Sequence, residues 1–184
     1  TSTEPMAYVL DSRGAKVHKS NVNVAGIGSG DALSMGEFEL LGGLLKLEFH
    51  RGAEVVIEAP AKFDILNSKK VKLHSGKVSA NVPEAAIGFT IDTPTSEVID
   101  LGTAFAVEVD AFGRDEVHVF DGEVVVKNKK TNRQPSLHLF ENQALRMDLE
   151  THTPSNIDID QKRFLRQVKE KSHVYSDSLL GMNP

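Results

Sequence analysis

The side chains of this sequence that could do chemistry are its seven histidines and a run of acids. His118 and His138 each stand four residues before the turn position of a repeated unit, at Gly122 and Asn142. If their strands pair in register, both imidazoles emerge on one face, and two imidazoles so placed could ligate a metal ion. No His-x-His pair is present and no third ligand is indicated, so the expectation is two solvent-facing strand histidines and no metal. Asp92, Glu97, Asp100 and Glu108 form an acidic group, and a hydrolase would set two such acids across a cleft. Asp92 and Asp100 instead flank turns, where Asp commonly bonds to local backbone amides. Gly26-Ile-Gly-Ser-Gly30 resembles a phosphate loop only superficially. It lacks the third spaced glycine and a following helix whose amides would cradle an anion, so it reads as a β-turn. There is no G-x-S-x-G elbow to organise the serines. These residues predict no catalytic site and no cofactor.

Composition narrows the classes further. The 184 residues fit one domain, or one domain with a tail, and suffice to bury a core without staples. The absence of cysteine excludes disulfides, zinc–thiolate sites and thiol catalysis. A formal charge of −5 argues against nucleic acid as a partner. The densest basic groups, Lys69, Lys70 and Lys72 and then Lys127, Lys129 and Lys130, read as solvated turns. No apolar run approaches the roughly 20 residues that span a bilayer, and Thr1–Pro5 has none of the features of a signal peptide.

The elements that would position these residues are strands. Lys46, Glu48 and His50 interleave with Leu45, Leu47 and Phe49, and Ala106, Glu108 and Asp110 with Phe105, Val107 and Val109. Such alternation describes half-buried strands. Pro60, Pro83, Pro94, Pro135 and Pro154 are expected between strands. A loose repeat places an apolar residue three before a glycine: Leu33…Gly36, Leu73…Gly76, Ile99…Gly102 and Val119…Gly122. A fifth copy, Leu139…Asn142, carries the other residue that tolerates positive φ. The last three copies are 20 residues apart. Gly76, Gly102 and Gly122 are therefore expected at strand junctions, with Asp100 and Thr103 satisfying the polar backbone of the Asp-Leu-Gly-Thr turn. The fold class is all-β: a β-sandwich or jelly-roll-like arrangement, or a short β-solenoid of hairpins. After this domain, over residues 1–150, comes a C-terminal segment, 151–184. There Asp158…Gln161 reads as a capping box and Phe164, Leu165 and Val168 share a helical face. This predicts one α-helix over about 158–171, followed by a tail.

Several of these segments together resemble the FecR domain, and most closely its planctomycete-type members. They are Gly52–Pro60, Ala61–Ile65, Leu73–Val78, Val82–Phe89, the Thr93-Pro…Asp100-Leu-Gly-Thr…Phe105 stretch and Val117–Gly122. The resemblance covers roughly residues 30–147. It implies a non-enzymatic periplasmic domain of an inner-membrane protein, anchored by a helix upstream of this sequence. It also implies a signalling module acting by protein–protein contact to control an extracytoplasmic-function sigma factor. The implied partner is an envelope protein such as the signalling domain of a TonB-dependent transporter of the kind that imports iron. The sigma factor is reached only through a cytoplasmic part outside this sequence. The classical second transporter-contacting module has no counterpart among these residues. A module binding an envelope glycan or small molecule is the alternative reading.

Overall fold

The computed structural model describes residues 4–20, 22–24, 26–130 and 135–166. Their strands are β1 (Ala7–Lys19), β2 (Val22–Val24), β3 (Ala32–Leu33), β4 (Gly36–Phe49), β5 (Glu54–Asn67), β6 (Lys70–Asn81), β7 (Thr90–Asp92), β8 (Ser96–Asp100), β9 (Ala104–Val109), β10 (Asp115–Asp121), β11 (Glu123–Asn128), β12 (Leu137–Phe140), β13 (Ala144–Met147) and β14 (Pro154–Ile157). All fourteen belong to one hydrogen-bonded sheet. The only parallel pairing among the described residues joins β6 to β7. The all-β class is thus the observed one, in the form of an open, mostly antiparallel sheet.

The sheet is folded on itself along a line of bends. One edge of β6 carries two neighbours: Lys70–Lys72 pair with β7, and Gly76–Asn81 pair with β9. Half-sheet A continues from the first contact through β7, β8, β11 and β12. Half-sheet B continues from the second through β9, β10, β13 and β14. The long strands β1, β4, β5 and β6 contribute to both halves. Between halves their pairing loses register, at Arg13–Val17 of β1, Leu40–Leu44 of β4 and Glu58–Phe63 of β5. Such bulges let a strand bend without ending, and for this reason the strands here reach 13 or 14 residues where the alternation suggested shorter ones. Pro60 was expected between strands but lies inside β5. It sits where β5 is out of register with both neighbours, so its missing N–H breaks no ladder bond.

Inward side chains of both halves form a single hydrophobic core. Phe38 of β4 stacks on Phe63 of β5 in half-sheet A, with ring centroids 5.4 Å apart. Phe49 at the end of β4 in half-sheet B reaches Phe89, which precedes β7 in half-sheet A, at 5.1 Å. Alternation produces this core directly: Leu45, Leu47 and Phe49 are buried, while Lys46 and Glu48 are only partly covered.

The chain passes between halves at turns. β8 to β9 crosses at Leu101–Thr103, β10 to β11 at Gly122, and β12 to β13 at Glu141–Gln143. Gly102, Gly122 and Asn142 have φ of 96°, 81° and 64°. Gly76 has φ of 110° but lies within β6, at the point where that strand passes from half-sheet A to half-sheet B. A Cβ on Gly76 would stand 2.6 Å from the Cβ of Ala61 and 2.7 Å from the carbonyl oxygen of Pro60. A Cβ on Gly122 would stand 2.5 Å from the carbonyl oxygen of Gly102.

The predicted α-helix at 158–171 is not formed in its described part. Residues Gln161–Arg163 make one 3₁₀ turn, and Phe164 is extended at φ −116° and ψ 132°. The cap is Asp160, which accepts from the amides of Lys162 and Arg163, and not Asp158. Contacts with the sheet described below fix neighbouring side chains in directions one helix face could not serve. The remainder of that helix reading, and the tail after it, lie outside the described residues.

The crossing turns separate strain from collision. Gly88 also has positive φ, at 94°, but a Cβ there meets nothing within 4 Å. Gly122→Val is expected to cost about 3 kcal/mol or more, and Gly88→Ala about 1 kcal/mol, because only the former adds overlap to backbone strain. Denaturant midpoints of the two variants against the parent check this ordering.

Candidate functional site

Asp100, Gly102, Thr103 and Gly122 come together at one corner. The Asp100 carboxylate accepts from the Gly102 amide at 2.9 Å and from the Thr103 hydroxyl. The backbone around it is fastened on three sides. The Leu101 amide donates to Glu123, the Val82 amide to Thr103, and the Gly88 amide to Asp100, all at 2.8–3.1 Å. Asp100 is fully buried. Burial pushes its carboxyl up to about 6, against the opposing pull of the Gly102 and Thr103 amides. Gly76 stands apart from this corner, in the bend of β6.

A second buried polar group bridges the halves elsewhere. Asp115 at the start of β10 accepts from the hydroxyls of Thr93 and Thr95 beside β8. The Ser96 amide donates to the Thr93 hydroxyl at 2.9 Å. Burial raises the Asp115 carboxyl, with the Thr93, Thr95 and Ser96 hydrogen bonds working against it. The sequence offered no signal for this: Gly113-Arg-Asp-Glu116 reads as an exposed turn, yet Asp115 is 1% exposed.

Two of the other candidate acids pair with lysines. Asp92 pairs with Lys129 at 2.8 Å and Glu97 with Lys70 at 2.6 Å. The two histidines do not share a face. His138 lies on β12 in half-sheet A, half-exposed beside Glu123. His118 lies on β10 in half-sheet B and is completely buried, contrary to the solvent-facing expectation. Its cover is the C-terminal segment. Among the described residues no three His, Cys, Asp or Glu side chains gather as a metal site would require.

That segment, residues 158–166, runs over the outer face of half-sheet B. Register defines the rows it crosses. One row is uncharged apart from an imidazole: Val56, Ser79, Ala106 and His118 are successive cross-strand partners on β5, β6, β9 and β10. The next is charged: Glu58, Lys77, Glu108, Glu116 and Arg146. Phe164 enters the first row, 4.9 Å from the His118 ring and 6.1 Å from Phe120, and closes a small cluster with Ala106. Arg163 enters the second row and binds Glu108 at 2.7 Å and also Glu116. Arg146 reaches Glu116 from the other side at 2.6 Å.

Burial would raise Glu116, but the hydrogen bonds from Arg163, Arg146 and His118 outweigh it and hold the carboxyl at about 2. His118 is held below its usual value, first by burial and then by the Arg163 charge, with Glu116 opposing. The His118 Nδ1 accepts the Asp160 amide at 3.3 Å. Its Nε2 lies 3.3 Å from both the Glu116 carboxylate and the Arg163 guanidinium. Only the first hint of this strap was legible: Phe164 as an anchor. The role of Arg163 depends on two acids brought side by side by strand pairing, which no local spacing announces.

The corner carboxyl has a pH signature. Its folded value exceeds the unfolded one, so its contribution to stability is present below about 4 and is lost as pH rises through about 6. Relative to Asp100→Asn, the parent is expected to gain about 1 kcal/mol on going from pH 7 to pH 5. Urea unfolding of both proteins at the two pH values measures this; a difference that does not change with pH would show that Asp100 ionises normally.

Comparison with known proteins bears on this geometry. Residues 41–125 match the FecR protein family. Two crystal structures from Parabacteroides distasonis, each described as a candidate anti-sigma factor, share the fold. One aligns with a TM-score of 0.56 at 17% identity, covering 67% of this chain and 60% of that one. The other aligns with a TM-score of 0.56 at 18% identity, covering 68% and 61%. The chain thus spans about three fifths of the length of each. At that identity the likeness is one of fold. No curated protein matches the chain. The matched segment runs from within β4 to within β11 and takes in the bends at Gly43 and Gly76 and the corner of Asp100, Gly102, Thr103 and Gly122: over this stretch the chain is similar to the FecR protein family.

Proposed function

We propose that this chain is the signal-sensing part of a transmembrane FecR-like regulator of an extracytoplasmic-function sigma factor, working in the periplasm by protein–protein contact. The observation that carries the reading is the FecR match over residues 41–125. The description of the two fold neighbours as candidate anti-sigma factors agrees with it. In this reading a membrane anchor precedes the domain, and the sigma factor is reached through a cytoplasmic part. The domain does no chemistry of its own. Its polar clusters are structural: Asp100 and Asp115 are spent on hydroxyls and amides within the fold.

Among the described residues several sheet edges have no second partner: β12 pairs only with β11, β14 only with β13, and β2 only with β1. An unpaired edge is a template for an added strand, with main-chain bonds supplying affinity and side-chain pockets selectivity. Between β12 and β14 lies an opening of about 430 Å³, walled by Leu137, Leu139, Leu145 and Ile157. An envelope protein with an extended segment, such as the signalling domain of a TonB-dependent transporter, has the right form to engage such an edge.

The test is genetic. Deleting residues 30–147 from the full-length regulator is expected to change reporter output of the cognate sigma factor under inducing conditions. Unchanged output under every condition would sink the sensor reading. Retention of an envelope protein on the isolated chain is the expected biochemical companion, whereas saturable binding of an envelope glycan would favour a glycan-recognition module.

A further inference from the structure

The C-terminal strap is attached to half-sheet B by side chains. The Asp160 amide donates to His118 and the Leu165 amide to Glu58 at 3.0 Å. The Arg163 carbonyl accepts from Lys77 at 3.4 Å, and Arg163 and Phe164 supply the anchors already described. Residues 158–166 contribute no strand to the ladder. The strap can therefore leave without breaking a strand pairing, and its departure uncovers a trough whose floor is the row of Val56, Ser79, Ala106 and His118 and whose wall is acidic.

The trough is also longer than the described part of the strap that fills it. Beyond Phe164 it continues as an open groove of about 830 Å³ toward Val56 and Lys46. On its floor the Ser79 hydroxyl is buried and has no hydrogen-bond partner among the described residues. A buried hydroxyl left unsatisfied costs free energy that a ligand group can recover. In the charged row, Glu58, Glu108 and Glu116 outnumber the cations that the sheet itself places there, Lys77 and Arg146. The strap balances them with Arg163, and its Arg166 lies over the Phe120 ring at 4.6 Å.

We propose that this trough is a recognition site for an extended basic-aromatic peptide segment, an arginine followed by an aromatic residue, donated by a partner protein. In this structure the chain's own Arg163–Phe164 occupies it in cis. A partner segment of the same chemistry displaces the strap, sets its guanidinium between Glu108 and Glu116 and its ring over Ala106, and extends along the groove to the Ser79 hydroxyl. The site is independent of the free sheet edges, so it can stand or fall apart from the sensor reading.

The probe is a fluorescent synthetic peptide with the sequence of residues 158–166, added to the whole chain. Its affinity is compared between the parent and an Arg163→Ala/Phe164→Ala variant in which the cis occupant is weakened. The variant is expected to bind at least tenfold more tightly than the parent. Adding Glu108→Gln to it should weaken binding at least tenfold, as should replacing the peptide's own arginine and phenylalanine by alanine. A variant that retains the parental β spectrum yet binds no peptide overturns the proposal, and so does binding indifferent to Glu108→Gln. If the variant does not fold, the parent decides. Saturating peptide should then speed hydrogen exchange of the strap amides, read by mass spectrometry, and unchanged exchange overturns the proposal.

Discussion

Backbone lies against backbone at three places where this sheet turns from one half to the other. At Gly76 the chain of β6 lies against Pro60 and Ala61 of β5, and at Gly122 the turn lies against Gly102. At Gly43 of β4 the space for a Cβ is already taken by the carbonyl of Arg13, 2.2 Å away. Glycine serves at these points for want of volume as well as for its positive φ. The shared core follows from these contacts. Only a sheet that bends this tightly can bring Phe49 of one half against Phe89 of the other.

Two buried carboxylates reinforce the bend in different ways. Asp100 gathers the amide and hydroxyl of its own turn, whereas Asp115 reaches from half-sheet B to the Thr93–Ser96 segment of half-sheet A. Neither faces a cation in a salt bridge. Their ionised forms rest on neutral donors, which is why burial raises both. Glu116 is the opposite case. It faces two guanidinium groups on the outer surface and is driven down. Burial thus raises the two inner acids, while the paired guanidinium groups lower the outer one.

Much of this was legible in the sequence, for reasons that particular residues make plain. Alternation at Leu45–His50 and Phe105–Asp110 reports strands because one face of each is buried. The interchange of Gly122 with Asn142 marks turns because both types accept positive φ. What stayed hidden depends on residues far apart in the chain. Gly76 carries the same local pattern as Gly102 but bends a strand where Gly102 ends one, since only the neighbouring β5 decides the difference. The capping pattern at Asp158–Gln161 competed with Phe164 and Arg163, whose partners on β9 and β10 lie more than forty residues earlier and favour an extended course. His118 looked like a surface residue because nothing near it in sequence covers it.

The way the chain alternates between halves has a consequence for how it unfolds. β8 pairs with β11, and the hairpin of β9 and β10 lies between them in sequence but in the other half. β10 pairs with β13, and the hairpin of β11 and β12 is likewise interposed. Each half's ladder therefore closes a loop that contains part of the other. Neither half is a contiguous stretch of chain, so neither can melt as a separate unit while the other keeps its register. Work done on one outer strand is passed to the opposite half through covalent bonds, at turns of one or three residues. The fold behaves as a single braid, and a pull applied at either end is felt across both faces.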